Sequence, residues 1–423
     1  MVDDRLTRAQ TSELRAVLRP LRLDIDIDDL VAHELRPERL EGIVTSKGLE
    51  EGRLDFHLPI RPIPHQLDVN GFRSDLHDAL KDKVAGYSME LRQHGMRVTS
   101  RNHGWAKTSD DGGQRWTTGV RMHVASVSKL LTAFAMTKVL AAHGISPDAK
   151  ISAYLPRYWS KGDHVSDITY RQLMTHRSGF DVPGSASDFS TMKAHVAAGV
   201  ASTGGYHYEN MNFGLCRLLI ATITGAVPVD ARFQILFIPE DVIWDYVATT
   251  AYAEFVRTHL FEPACVTGPT HTHPGSDALA YDMPVGSGWD SGDLTSMAGG
   301  AGWHCSVADL LAVMNDVRRV GNILTPAQTQ QLLDDSFGID LTLTTAAGVL
   351  YNKNGLWRDG SGRTEQSLAY FLPEDMELVV LANSPIGTAD EFFRDVVTDV
   401  YVANLRPVID LSFVTERDHV THP

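Results

Sequence analysis

Apolar and polar residues alternate between Tyr87 and Arg92 and again between Met96 and Arg101, bracketing His94-Gly95, a pattern that predicts a β-hairpin. The same period returns late in the chain. Ser367 to Leu372 and Leu378 to Ala382 flank the turn residues Pro373-Glu374-Asp375 and predict two further strands. Between these regions the spacing becomes helical. Leu130, Leu131, Phe134, Met136, Val139 and Leu140 cover one broad side of a helix that starts near Ser126 and ends near Gly144. Asp75 to Val84 also carries helical spacing, as does the stripe from Phe392 through Val396, Val397 and Val400 to Tyr401. Thr169 and Gln172 suit a capping box opening a short helix that Gly179 would close. The stretch from about 145 to 310 is mainly helix and loop, with Gly-rich segments such as GSGWDSGD and MAGGAGW. The order is thus helix and strands, a helical insertion, then strands and helix, with no internal repeat.

Residues 1 to 69 are set apart as an N-terminal extension of unknown role. Leu23, Ile25 and Ile27 alternate with Asp24, Asp26 and Asp28, which predicts a half-buried strand. An EF-hand loop opened by Asp24 would need Gly and Glu where Asp29 and Leu35 stand, so the acidic run is read as a solvated face. The prolines of HLPIRPIPH then predict a linker. Residues 70 to 405 form the expected catalytic domain, and 406 to 423 a tail.

Composition changes this picture mainly by exclusion. In 423 residues, 53 acidic side chains outnumber 38 basic ones for a net charge of -15, which repels a polyanion and argues against nucleic-acid binding. No 7 to 15 residue apolar run follows the charged start MVDDRLTRAQ, and no stretch stands out as a bilayer span, so the expectation is a soluble cytoplasmic protein without a membrane partner. Cys216, Cys265 and Cys305 have no metal-type spacing and are expected to be buried free thiols. His271-Thr272-His273 offers two imidazoles but no third ligand nearby, so no metal or other cofactor is expected.

Candidate chemistry begins with Ser126-Val127-Ser128-Lys129. On a helix, positions i and i+3 share a face, so the hydroxyl and the amine can meet. A lysine among apolar side chains loses basicity and can take a serine proton. Alone, Ser-x-x-Lys is common and equally suits a helix-capping serine with a solvated lysine. Two further sets follow it. Tyr208-Glu209-Asn210 lies within YENMNFGLCRLLIATITG, and Lys353-Asn354-Gly355 within GVLYNKNGLW, although NKNG taken by itself also suits a hairpin turn. His207, adjacent to Tyr208, would point the opposite way on a strand and is read as a neighbour rather than a base.

In that order, and with MHVASVSKLLTAFAMTKVLAAHGI around the first set and SLAYFLPEDMELVVLANS after the third, the chain resembles serine β-lactamases, penicillin-binding proteins and family VIII esterases. DITYRQLMTHRSGF, AYLPRYW, EFVRTHLFEPACV and AGGAGWHCSVADLL resemble further family landmarks, so the likeness covers about residues 70 to 405. It implies an α/β fold of the α+β type: an antiparallel sheet of early and late strands flanked by helices, with an inserted mostly helical domain. It also implies Ser126 as nucleophile, Lys129 and Tyr208 as its proton handlers, and Asn210 at the substrate and lysine. Lys353 would support the tyrosine or bind an acyl-side carboxylate. Gly355 would leave room for substrate, and the Ser126 and Leu356 N–H groups would form the oxyanion hole. Tyr208 would need cationic neighbours to become a base at neutral pH, and the two lysines are the expected source. The expected partner is a small-molecule acyl substrate, an ester, amide or lactam. The alternatives are a D-amino-acid-specific peptidase, an acyltransferase, or a non-catalytic binding or filament-forming homologue.

Overall fold

A computed structural model describes residues 8–30 and 64–408, apart from 22, 28, 184–185, 236 and 388–391. The elements in chain order are α1 (Arg8–Leu18), β1 (His65–Leu67), α2 (Val69–Leu80), β2 (Gly86–Gln93), β3 (Met96–Lys107), β4 (Gln114–Arg115), β5 (Arg121–His123) and α3 (Ser128–Ala142). There follow α4 (Tyr170–Met174), α5 (Phe189–Ala198), α6 (Asn210–Ile223), α7 (Glu240–Val256), β6 (His304–Ser306), α8 (Val307–Asn315) and α9 (Pro326–Asp334). The chain then returns to strand with β7 (Leu341–Thr345), β8 (Gly348–Arg358), β9 (Thr364–Leu372) and β10 (Met376–Ala382), and closes with α10 (Phe393–Ala403) and β11 (Leu405–Pro407).

The main sheet has the order β4-β3-β2-β10-β9-β8-β7 and is antiparallel throughout, joining the early hairpin to the late strands through β2 and β10. Its central strands are buried on both faces, and their side chains sort by the period of two. Leu368, Tyr370 and Leu372 of β9 pack under α2 and α10, while Ala369 and Phe371 join the core around α3. The stretch Ala125–Ala142 is long and apolar enough to span a membrane by composition, with a mean hydropathy of 1.3 over 18 residues. That differs from the sequence reading, but 83% of it is buried inside the fold, so these apolar side chains have the protein's own core as their environment.

Several predicted boundaries shift for identifiable reasons. α2 begins at Val69, before Asp75, because Asp68 caps it by accepting the Gly71 N–H and Phe72, Leu76 and Leu80 form its buried stripe. The capping box of Thr169 and Gln172 is present, but the backbone already turns at His176 (φ 56), before Gly179 (φ 89). NKNG lies inside β8, and the preceding hairpin reverses between Thr345 and Gly348 instead. The alternation from Leu23 to Ile27 is real in burial, with Asp24 and Asp26 exposed, yet the segment is not a strand. Leu14, Leu18, Leu21, Ile27 and Leu30 pack into the main core, and Tyr246 Oη on α7 donates to the Asp26 carbonyl at 3.0 Å. The proline linker lies almost wholly outside the described residues. Cys216 and Cys305 are buried free thiols, whereas Cys265 is exposed in a turn at φ 58.

Candidate active site

Ser126 sits in a single 3-10 turn, Ala125–Val127, between β5 and α3. Two contacts hold this turn. β5 pairs with β6, placing His123 opposite His304 and tying the segment to the Gly-rich stretch Met297–Trp303. On its other side β8 presses so closely that a Cβ at Gly355 would stand 2.5 Å from the Val124 carbonyl and 2.9 Å from the Ser126 nitrogen. The glycine expected to leave room for substrate therefore also leaves room for the backbone of the serine turn itself. Ala125, immediately before the serine, adopts φ 46, a left-handed conformation that costs free energy and is held by this packing.

Lys129, one turn into the helix from Ser126, is fully buried. Its Nζ lies 3.0 Å from Ser126 Oγ, 2.6 Å from Asn210 Oδ1 and 2.7 Å from the Gly300 carbonyl. All three partners are neutral. Burial, reinforced by the charge of Lys353, holds the Lys129 amine well below the ordinary lysine range. A neutral amine has two N–H donors and one lone pair, and this tripod can satisfy both donors on Asn210 and Gly300 while leaving the lone pair to Ser126. Asn210 is the first residue of α6, which Glu209 caps by accepting the Met211 N–H.

Tyr208 donates its hydroxyl to Ser126 Oγ at 2.7 Å. Its ring stacks on His176 at 4.2 Å, and the Nζ atoms of Lys129 and Lys353 lie 5.0 and 5.1 Å from its centroid. The two lysines expected beside the phenol are thus present, but they are not the dominant influence on it. Burial and the negative charge of Asp340 push the phenol well above its usual value, so Tyr208 holds its proton at neutral pH. His176, whose Nδ1 accepts the Glu209 N–H at 3.1 Å, is kept neutral by burial and by the two lysines.

Lys353 and Gly355 share the face of β8 that meets the serine turn, opposite Ala369 and Ser367 of β9. Lys353 is 0% exposed and pairs with Asp340 Oδ1 at 2.6 Å. Asp340 Oδ2 accepts the Asn354 N–H at 3.2 Å, so that amide points away from β9. Alternate amides of a strand point the same way, which aims the Leu356 N–H at the edge of β8 that β7, ending at the Leu341–Asn352 pair, leaves open beside Ser126.

Ser126, Lys129, Tyr208, Asn210, Lys353, Gly355 and Leu356 thus converge, while other candidates do not. His207 faces Asp181 at 3.5 Å, away from Ser126. His271 packs against Trp303 with its ring tilted, and His273 lies at the Ala278 carbonyl. Among the described residues Asp181, His207 and Glu209 are close enough to share an ion, but both Glu209 oxygens already accept backbone N–H groups, from Met211 and Val182. Sequence reasoning missed His176, Gly300 and Asp340. The first two stand inside quoted landmark segments, whereas Asp340 lies in a stretch with no signal of its own.

A profile described as Beta-lactamase matches residues 72–402. Among solved structures, FmtA from Staphylococcus aureus superposes with a TM-score of 0.59 at 16% identity, over 81% of this chain and 88% of that one. A class C β-lactamase from Rhodobacter sphaeroides gives 0.57 at 17% identity over 79% and 99%. The D-amino acid amidase from Ochrobactrum anthropi SV3 gives 0.56 at 17% identity over 78% and 97%. At such identities these likenesses speak for the fold, which is that of β-lactamases and transpeptidases. Since the profile spans most of the chain, the protein belongs to the Beta-lactamase family.

Proposed function

We propose that this protein is a serine hydrolase that works through an acyl-enzyme on a small-molecule ester, amide or lactam. The observation that carries the reading is the meeting of Lys129 Nζ and Tyr208 Oη on one buried hydroxyl, Ser126 Oγ, at 3.0 and 2.7 Å. Ser126 attacks the acyl carbon as its proton passes to the neutral Lys129 amine. The Ser126 and Leu356 N–H groups receive the developing oxyanion. Tyr208, protonated and hydrogen-bonded to the same oxygen, joins Lys129 in returning the proton to the leaving group, after which water releases the acyl group. Asn210 orients the lysine.

Mass spectrometry after treatment with a fluorophosphonate is expected to find the label on Ser126, and label elsewhere, or none, would overturn the assignment. Substrate class is then read by comparing 4-nitrophenyl esters, D-alanyl amides and nitrocefin, with hydrolysis of at least one expected. Inertness toward every acyl donor would favour a non-catalytic role.

A further inference from the structure

We propose that Asp340 is a specificity-determining residue that reserves the Ser126 site for acyl groups carrying no carboxylate. The inference rests on the acyl-enzyme reading above and narrows its substrate class. Beside Ser126, the edge of β8 offers a lysine ammonium and a backbone N–H next to each other, a pair of donors well suited to a carboxylate. The chain fills both itself. One oxygen of Asp340 takes Lys353 Nζ at 2.6 Å and the other takes the Asn354 N–H at 3.2 Å.

This internal anion is fixed rather than casually placed. The Asp340 N–H donates to the Asn352 carbonyl at 2.9 Å, extending the β7–β8 ladder by one residue and setting the register of its side chain. The pair is also covered: the Lys353 side chain is 0% and that of Asp340 7% exposed, so the ammonium has no free surface to present. A buried cation needs one counter-anion, and a second would stand against the first in a poorly solvated space. An acyl chain ending in a carboxylate would therefore meet Asp340 as a like charge, while a neutral chain meets a neutralised wall. Like-charge juxtaposition of this kind costs on the order of 100-fold in kcat/KM.

The test compares 4-nitrophenyl pentanoate with the mono-4-nitrophenyl ester of glutaric acid, which differ at the far end of the acyl chain. Fluorophosphonate labelling of Ser126 is read in the same preparations. The wild-type protein is expected to prefer the neutral ester by ~100-fold, and Asp340→Asn, which frees Lys353, to cut that preference by ~10-fold or more. Glutarate is expected to shield Ser126 from labelling in Asp340→Asn and not in the wild type. If Ser126 is labelled but the wild type turns over both esters equally, or the ratio survives in folded Asp340→Asn, the proposal is overturned alone. Absence of label on Ser126 overturns it together with the parent reading. Should Asp340→Asn not fold, the wild-type ratio and glutarate protection decide between the same two results.

Discussion

The helix side and the strand side of the site each bring one fully buried lysine to the ring of Tyr208, and the two are held in opposite ways. Lys129, from α3, is surrounded by a hydroxyl, a side-chain amide and a peptide carbonyl. Lys353, from β8, faces a carboxylate. Burial lowers the basicity of both, and Asp340 opposes that effect at each, but only Lys353 hydrogen-bonds to it, whereas the positive charge of Lys353 adds to the lowering at Lys129. Both amines are held below the ordinary lysine range, Lys129 further than Lys353, so the helix-side lysine is the readier of the two to lose its proton. Lysines at similar distances from one phenol are assigned different work by their partners, not by their depth.

Removing the helix-side amine has the largest expected effect. Lys129→Met is expected to lower kcat on a neutral ester by about 100 to 10,000-fold, the usual range for losing a general base, with no rescue at high substrate concentration. A fall of less than about 10-fold, measured as the acylation rate in stopped flow, would return the base role to another group.

On the strand side the main expected effect is on folding. Lys353→Met leaves the Asp340 carboxylate buried without its cation and should cost about 3–5 kcal/mol in urea unfolding. Adding Asp340→Asn to that variant should restore most of the loss. If the double variant is as unstable as the single one, the pair is not coupled and the contrast between the two lysines fails.

Tyr208→Phe should lower kcat by about 100-fold. Because Tyr208 is held protonated, the wild-type kcat/KM should rise with pH as Lys129 loses its proton and show no alkaline fall from the phenol below pH 10. A decline on the alkaline side that vanishes in Tyr208→Phe would mean the phenol titrates lower than its surroundings indicate.

The smallest effect is a slope. Lys129 has a folded pKa below its unfolded one, so between the two the unfolded chain binds more protons, and stability should rise with pH toward about 10.5. Calorimetry of Lys129→Met should give a flatter dependence over that window, and an unchanged slope would place the shift elsewhere.

Much of this architecture was legible in the sequence because its signals are local. The β2–β3 hairpin, the β9–β10 pair and the capping box at Thr169 depend on neighbours within a few residues, and Ser126 with Lys129 needs one helical turn. Asp340 is different. Its significance comes from lying one residue beyond the Leu341–Asn352 pair, with its N–H on the Asn352 carbonyl across the strand pair, which no spacing in the chain announces. The electrostatics around Tyr208 are hidden for a related cause, since the two lysines can be counted from motifs but the carboxylate that offsets one of them cannot. The strand expected at Leu23 to Ile27 illustrates a third limit: alternation reports which side chains are covered, and the cover here is helical rather than a neighbouring strand.

The N-terminal helix carries a consequence for how the chain survives cutting. Leu14, Leu18, Leu21, Ile27 and Leu30 are buried in a core whose other members lie within the family-matched region, each worth about 1.5–3 kcal/mol of apolar contact. Residues 8–30 thus act as a bound segment of the same chain, held at the high effective concentration a covalent connection provides. Severing the connection between Leu30 and Pro64 would turn an intramolecular fit into an ordinary binding equilibrium. The nicked protein should then lose this piece on dilution and regain it from an added peptide spanning residues 8–30.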